Sequence, residues 1–205
     1  MCIFIVMYEK AYMRFFTWIL LFLSVSSFGQ SLQEGQKLWH PSEPLTITDF
    51  KMSINDTQNE SVYSQFSISS QLSGFSFLSK NLNQKVLNIF MGEASWVNSA
   101  IGVDEVALLE FQQLQFDLCE VYTRNFRKEA LIGKKEVLKG FDFLQILNNK
   151  IMSDFAKERA RLIEETESGS HKEKVIAWKH DVAVRLDSLH DFRYANKKKI
   201  KIARK

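Results

Sequence analysis

The chain has 205 residues, of which 45% are hydrophobic, and it carries a formal net charge of +3. A chain of this length buries enough apolar surface for one self-sufficient core, so a single domain is expected. Two cysteines are too few for a disulfide-rich scaffold, and the eight glycines are scattered singly, which gives no indication of a glycine-rich nucleotide-binding loop.

The N-terminal segment has the pattern of a cleavable secretory signal. Arg14 precedes an eleven-residue apolar run, Phe15–Val25, which is shorter than the ~20 residues that span a bilayer as a helix. Ser27 and Gly29 place small residues where signal peptidase inspects the chain, so cleavage is expected before Gln30. We therefore expect an exported protein, located in the periplasm, in the cell envelope or outside the cell.

Met13 is the expected translation start. The preceding residues begin with a second apolar run, Cys2–Met7, followed by charged residues, which is an unusual start for a signal. An uncleaved amphipathic or anchored N-terminus is the alternative. Removal of residues 1–29 leaves Cys119 as the only cysteine, which excludes an intrachain disulfide. The expected organisation is a signal at 1–29, one domain at 30–192 and a basic tail at 193–205.

Residues 38–97 have the composition and short alternations of β-strands. A hairpin is predicted between Val62–Leu72 and Lys85–Met91, with a polar connection at Lys80–Gln84. Leu45–Thr48 is a candidate edge strand. Alternate positions that share one face of the first hairpin strand are Val62, Ser64, Phe66 and Ile68.

Three amphipathic helices are predicted after residue 104. The first runs over Val106–Leu131 with Asp104 or Glu105 in an acidic first turn, and the second ends near Thr166. Strands that precede helices without alternating with them predict an α+β fold and argue against a doubly wound parallel sheet. The three apolar stripes are Ala107, Phe111, Leu114, Leu118 and Val121; Leu144, Leu147, Ile151, Phe155 and Leu162; and Val175, Trp178, Val182, Leu186 and Leu189.

The segment Leu108–Lys128 begins Leu-Leu-Glu-Phe-Gln-Gln-Leu-Gln-Phe-Asp. It resembles the metal helix of the bacterial domain of unknown function 922 family, which has a zincin-like His-Glu-x-x-His-Phe-Asp motif. Two histidines one turn apart can hold zinc, and the glutamate activates a water. Phe111 stands at the first histidine position, Gln112 at the glutamate position and Gln115 at the second histidine position.

Flanking residues extend the resemblance over Leu38–Leu189. Ser95-Trp96-Val97 is similar to a Ser-Trp-Val segment that precedes the family's metal helix. Thr166-Glu167-Ser168-Gly169, followed by Trp178, is similar to a Thr-x-His-Gly stretch followed by a tryptophan, which places Ser168 at a third ligand position. Residues that resemble those after the motif are Phe116, Asp117, Glu120, Tyr122 and Arg124.

The resemblance implies a zincin-like scaffold without metal ligands. Phe111 has no donor atom, glutamine is a weak neutral ligand, and Gln112 cannot take a proton from water as a carboxylate does. We therefore expect an exported, non-catalytic relative of a metallopeptidase-like family, with no cofactor, that binds an unidentified protein or envelope ligand. The alternative is that the segment is an ordinary amphipathic core helix.

A second hypothesis is a residual metal-dependent hydrolase. Glu110, Asp117 and Glu120 lie on the same predicted helix, and the last two are spaced to share a face. Cys119 is expected to be a buried, inert thiol. Wide spacing predicts surface positions and no shared ion for the histidines of the mature chain, which are His40, His171, His180 and His190.

The tail Arg193–Lys205 contains seven basic residues and no acidic one. It is expected to be a frayed, solvated terminus, and adhesion to an anionic envelope surface is the alternative. Export and the lack of aromatic residues within the basic run make nucleic acid an unexpected partner. The sequence does not indicate the oligomeric state.

Overall fold

The computed structural model describes residues 32–54, 60–72, 79–98, 104–137 and 142–201. The predicted signal and its cleavage site lie outside the described residues, as does the end of the basic tail. All elements named below belong to one compact unit, Glu34–Lys205.

The strands form two small antiparallel sheets. In the first, β1 (Gln36–Leu38) and β3 (Phe66–Ser70) flank β4 (Val86–Met91), with Phe66 opposite Phe90. In the second, β2 (Val62–Tyr63) pairs with β5 (Trp96–Val97). The predicted hairpin is confirmed for β3 and β4.

The predicted strand Val62–Leu72 is divided between the two sheets. The Ser95 hydroxyl accepts a hydrogen bond from the Gln65 backbone N–H at 2.9 Å, and Met91 N–H donates to the Gln65 carbonyl at 2.9 Å. Because a side chain satisfies one backbone group at this point, the chain leaves β2 and enters β3 without a continuous ladder.

The prediction of an edge strand at Leu45–Thr48 is wrong. Ile47–Asp49 forms a 3₁₀ turn, because the Asp49 carboxylate accepts hydrogen bonds from the Thr46 backbone N–H at 2.7 Å and the Thr46 hydroxyl at 2.9 Å. Local bonds from such side chains compete with strand pairing. Burial raises the pKa of Asp49, but hydrogen bonds from Lys37 and Thr46 outweigh it and hold the pKa below its ordinary value.

The described residues contain four helices: α1 (Glu105–Ile132), α2 (Lys134–Val137), α3 (Asp142–Glu165) and α4 (Lys172–Ser188). The three long helices confirm the predicted ones, whereas α2 was not predicted. The Asp104 side chain begins α1 by accepting hydrogen bonds from the backbone N–H groups of Val106 and Ala107. The predicted stripes are buried or half-buried except at Ala107, which is exposed in the first turn.

Helix α1 lies at the centre and packs against α3, α4 and β4. Aromatic side chains join the sheet to the helices, as where the rings of Phe66 and Phe116 stack with centroids 5.4 Å apart. The architecture is therefore mixed α+β, with small antiparallel sheets followed by helices. Within the described residues, no helix combines the length and apolar character needed to cross a membrane.

The expectation of a frayed C-terminal tail does not hold for its described part, 193–201. Asn81 Nδ2 donates to the carbonyl groups of Asn196 at 2.8 Å and Lys198 at 2.7 Å. The Ile200 backbone N–H donates to the Lys80 carbonyl, and its side chain packs against the core. Apolar burial of Ile200 and these amide bonds hold the tail against the segment before β4.

Candidate functional site

The four positions that the resemblance assigns to a lost metal site line one cavity. Phe111, Gln112 and Gln115 come from α1, and Ser168 comes from the turn between α3 and α4. The cavity has a volume of about 750 Å³, within the range of small-molecule sites. Its other described walls are α3 and the segment 60–66.

Helical spacing explains how α1 presents its three residues. Positions three and four apart lie on the same side of a helix, and here that side faces α3 and β3. Phe111, Gln112 and Gln115 are 5%, 3% and 2% exposed. The two amides are therefore buried polar groups that require hydrogen-bond partners.

The turn that carries Ser168 has an unusual backbone. Glu167 and Ser168 have φ angles of 51° and 57°, followed by Gly169 at 93°. Two hydrogen bonds stabilise this conformation. The Ser168 N–H donates to the Ile163 carbonyl at 2.8 Å, and the Gly169 N–H donates to the Thr166 hydroxyl at 3.2 Å. Non-glycine residues in this region are strained, and such strain clusters at functional sites.

This turn closes directly on Phe111. A Cβ atom at Gly169 would lie 2.7 Å from Phe111 Cγ, closer than side chains pack. Glycine is therefore required at 169 by both its positive φ angle and the proximity of the ring. The ring occupies the place where the resemblance expects the first histidine, next to the turn that carries the expected third ligand.

The buried glutamines form a network with Arg159 of α3. Gln115 Nε2 donates to Gln112 Oε1 at 3.1 Å, and Gln115 Oε1 accepts from Arg159 Nε at 2.8 Å. Arg159 Nη2 donates to the Ser64 carbonyl at 2.8 Å, and its guanidinium lies 4.9 Å from the centroid of the Phe66 ring. The network thus joins α1, α3 and the β2–β3 segment around the cavity.

The cavity offers hydrogen-bond donors and apolar surface, and its chemistry differs from that of a zincin. Among the described residues, no group of three histidine, cysteine, aspartate or glutamate side chains is placed to hold a metal ion. Gln112 provides an amide where a general base would need a carboxylate or imidazole.

The three carboxylates that were candidates for a residual metal-dependent hydrolase each bind different side chains. Glu110 is exposed and forms an ion pair with Lys179 at 2.7 Å. Asp117 Oδ1 accepts from Trp39 Nε1 and Gln113 Nε2, both at 2.7 Å. Burial raises the pKa of Asp117, and these hydrogen bonds oppose the rise. Glu120 binds Arg124 and Arg127 in the core. The three carboxylates therefore do not form one site.

The remaining candidates lie away from the cavity wall. His40, His180 and His190 are exposed and His171 is half-buried. Cys119 is a free, buried cysteine. Burial, with a smaller contribution from the charge of Glu120, raises the pKa of the Cys119 thiol far above its ordinary value, which makes it unreactive.

Arg159 and Ser64 are site residues that the sequence analysis missed. Arg159 follows Phe155 by one helical turn and precedes Leu162, so it interrupts the apolar stripe of α3 with a charged residue. That interruption was the available signal. For Ser64 the signal was its place on the same predicted strand face as Phe66 and Ile68, but its position at the cavity depends on how the β2–β3 segment packs against the helices.

Comparison of the chain with protein-family models, with curated proteins and with solved structures gives no match. The mixed α+β class therefore rests on the geometry described above, and the family resemblance rests on the motif positions and their flanks.

Proposed function

We propose that this chain is an exported, non-catalytic relative of the zincin-like domain of unknown function 922 family, and that its cavity binds a ligand. The observation that carries the proposal is the convergence of Phe111, Gln112, Gln115 and Ser168 on one cavity. The first three are close in sequence, but Ser168 reaches them from another element. If α1 were only an ordinary amphipathic core helix, there would be no reason to expect Ser168 to line the same cavity as these three residues.

The roles of the flanking residues also support the proposal. Tyr122 Oη donates to Glu158 of α3 at 2.6 Å, and Arg124 Nη1 donates to the Leu186 carbonyl of α4 at 2.6 Å. Glu120 pairs with Arg124 and Arg127. These residues connect α1 to its neighbours, so a chain that lost the metal chemistry would still need them for its scaffold.

The substitutions leave a cavity suited to binding. Phe111 provides apolar surface, and the amides and the Ser168 hydroxyl provide hydrogen bonds without a metal. Export through the predicted signal places the ligand in the bacterial envelope or outside the cell. The ligand is a protein segment or a small envelope molecule that fits about 750 Å³.

Restoring the motif tests this proposal. The variant combining Phe111→His, Gln112→Glu, Gln115→His and Ser168→His should bind zinc, measured by titration and elemental analysis, whereas the parent protein should carry no stoichiometric zinc. Circular dichroism checks that the variant folds.

The matched control is Val106→His with Glu110→His, a pair at the same i, i+4 spacing on the exposed side of α1. Two histidines bind zinc weakly, so the restored site with its third ligand should bind at least about tenfold more tightly. A folded restored variant that binds no better than this control would contradict the zincin-like origin. Stoichiometric zinc in the parent protein would contradict the proposed loss of the site.

A further inference from the structure

Arg159 has unused hydrogen-bonding capacity inside the cavity. Its two bonds, from Nε to Gln115 and from Nη2 to the Ser64 carbonyl, use one edge of the guanidinium. A guanidinium has five N–H donors in a planar fork. The end of the fork, formed by Nη1 and the second hydrogen of Nη2, makes no hydrogen bond within the described part of the chain.

No carboxylate of the described residues forms an ion pair with Arg159, although other arginines of the helices have carboxylate partners. Burial lowers the pKa of Arg159, because desolvation disfavours its charged form. Glu60, the acidic residue among the described lining, is exposed, so water and salt screen its charge.

Ser64 provides a second unsatisfied group on the same wall. Ser64 is 0% exposed, and its hydroxyl has no hydrogen-bond partner among the residues that the structure describes. A buried hydroxyl without a partner destabilises the fold, and native proteins retain few such groups. Ser64 Oγ and the free end of Arg159 can both donate a hydrogen bond, so a ligand that carries an acceptor would match this wall.

Part of the remaining wall is apolar. The side chains of α3 that face the cavity include Met152, Phe155 and Ile163, and Phe66 and Phe111 add two rings. An anion with an apolar body fits this part of the wall. A carboxylate matches the planar fork with two parallel hydrogen bonds.

We propose that the cavity binds an apolar monocarboxylate, with the carboxylate on the free Nη1 and Nη2 edge of Arg159 and the apolar body against Phe66, Phe111 and Met152. The inference rests on the proposed function, because it names the ligand class of the same cavity. The carboxylate has two sources with this chemistry: a free fatty acid, or the C-terminal residue of a peptide.

Calorimetric titration of the full chain with three acids and their amides tests the proposal. The acids are octanoate, 4-phenylbutyrate and N-acetyl-Leu-Phe, and each amide keeps the shape and removes the charge. At least one acid should bind about tenfold more tightly than its amide, as expected for a charge-assisted bidentate contact. Preference for octanoate over the peptide identifies a fatty acid as the source, and the reverse identifies a peptide terminus.

Arg159→Gln should reduce the preference for the acid below about threefold, and Arg159→Lys, which keeps the charge but loses the fork, should give an intermediate value. Arg161→Gln is the matched control: it removes one charge from the same helix but does not belong to the described cavity lining, so it should leave the preference unchanged.

Equal binding of acids and amides by the parent protein overturns the proposal, and so does failure of every acid to bind. The comparison of acids with amides uses only the parent protein, so it does not depend on whether a variant folds. Zinc is measured in the same sample: zinc-free protein that fails to bind the acids contradicts only the carboxylate inference, whereas stoichiometric zinc contradicts the proposed function.

Discussion

Arg127 and Glu120 form an ion pair in the core of the molecule, with Nη1 2.8 Å from Oε1 and both side chains 1% exposed. Arg127 also donates to the Val86 carbonyl from Nε at 3.0 Å and from Nη2 at 2.7 Å, and to the Phe192 carbonyl from Nη1 at 2.9 Å. One buried guanidinium thus joins α1 to β4 and to Phe192, which lies in the 3₁₀ turn His190–Phe192 after α4.

Glu120→Gln should destabilise the fold by about 3–5 kcal/mol, because it leaves two buried guanidinium groups without their carboxylate. Urea unfolding followed by circular dichroism measures the change. Glu110→Gln is the control, since it breaks an exposed pair with Lys179 and should change stability by less than about 1 kcal/mol. Equal urea midpoints for Glu120→Gln and the parent would contradict the structural role.

Gly169→Ala should destabilise the fold by about 1–3 kcal/mol, from the positive φ angle and from contact with the Phe111 ring. In a Phe111→Ala background the ring is absent, and only the backbone strain and the contact with Cβ of residue 111 at 3.1 Å remain, so the cost should fall. A double-mutant cycle from urea unfolding measures this coupling. Additive effects would show that residue 169 and the ring do not meet.

The pH dependence of stability should reveal the raised pKa of Asp117. Burial favours the protonated carboxyl in the folded state, so the folded protein loses stability as pH rises from the unfolded pKa through the raised folded one. Asp117→Asn keeps an oxygen that accepts from Trp39 and Gln113 but cannot ionise. Its stability relative to the parent should increase as pH rises above the ordinary value of 3.8. A difference that stays constant with pH would contradict the raised pKa.

The sequence predicts the helices better than the strands, for a physical reason. Asp104 caps α1 through local hydrogen bonds, and each stripe repeats over several turns. The short strands depend on distant partners: the Ser95 side chain divides β2 from β3. Hydrogen bonds between Thr46 and Asp49 form a turn in a segment that was predicted to be an edge strand.

The candidate site is only partly predictable. The resemblance indicated Phe111, Gln112, Gln115 and Ser168, and the structure places all four on one cavity. Arg159 was missed because a charge within an apolar stripe gives no indication of what it faces until α3 packs against the β2–β3 segment. Glu120 was a catalytic candidate in one hypothesis, but its partner Arg127 lies two turns away on the same helix, at a spacing that also occurs between unpaired charges.

Asn81→Asp should loosen the described part of the basic tail while leaving the turn before β4 intact. The Asn81 side-chain oxygen accepts from the Asn83 N–H at 2.7 Å, and aspartate keeps this bond. The N–H groups that Asn81 donates to the Asn196 and Lys198 carbonyls are lost, so two carbonyls face a carboxylate, and the Asn196 carbonyl keeps only the 3.2 Å bond from Asn83 Nδ2. We expect faster trypsin cleavage after Lys197–Lys199, followed by mass spectrometry. Asn149→Asp makes the same charge change on an exposed part of α3 and should leave cleavage unchanged. Equal cleavage rates for Asn81→Asp and the parent would show that Asn81 does not secure the tail.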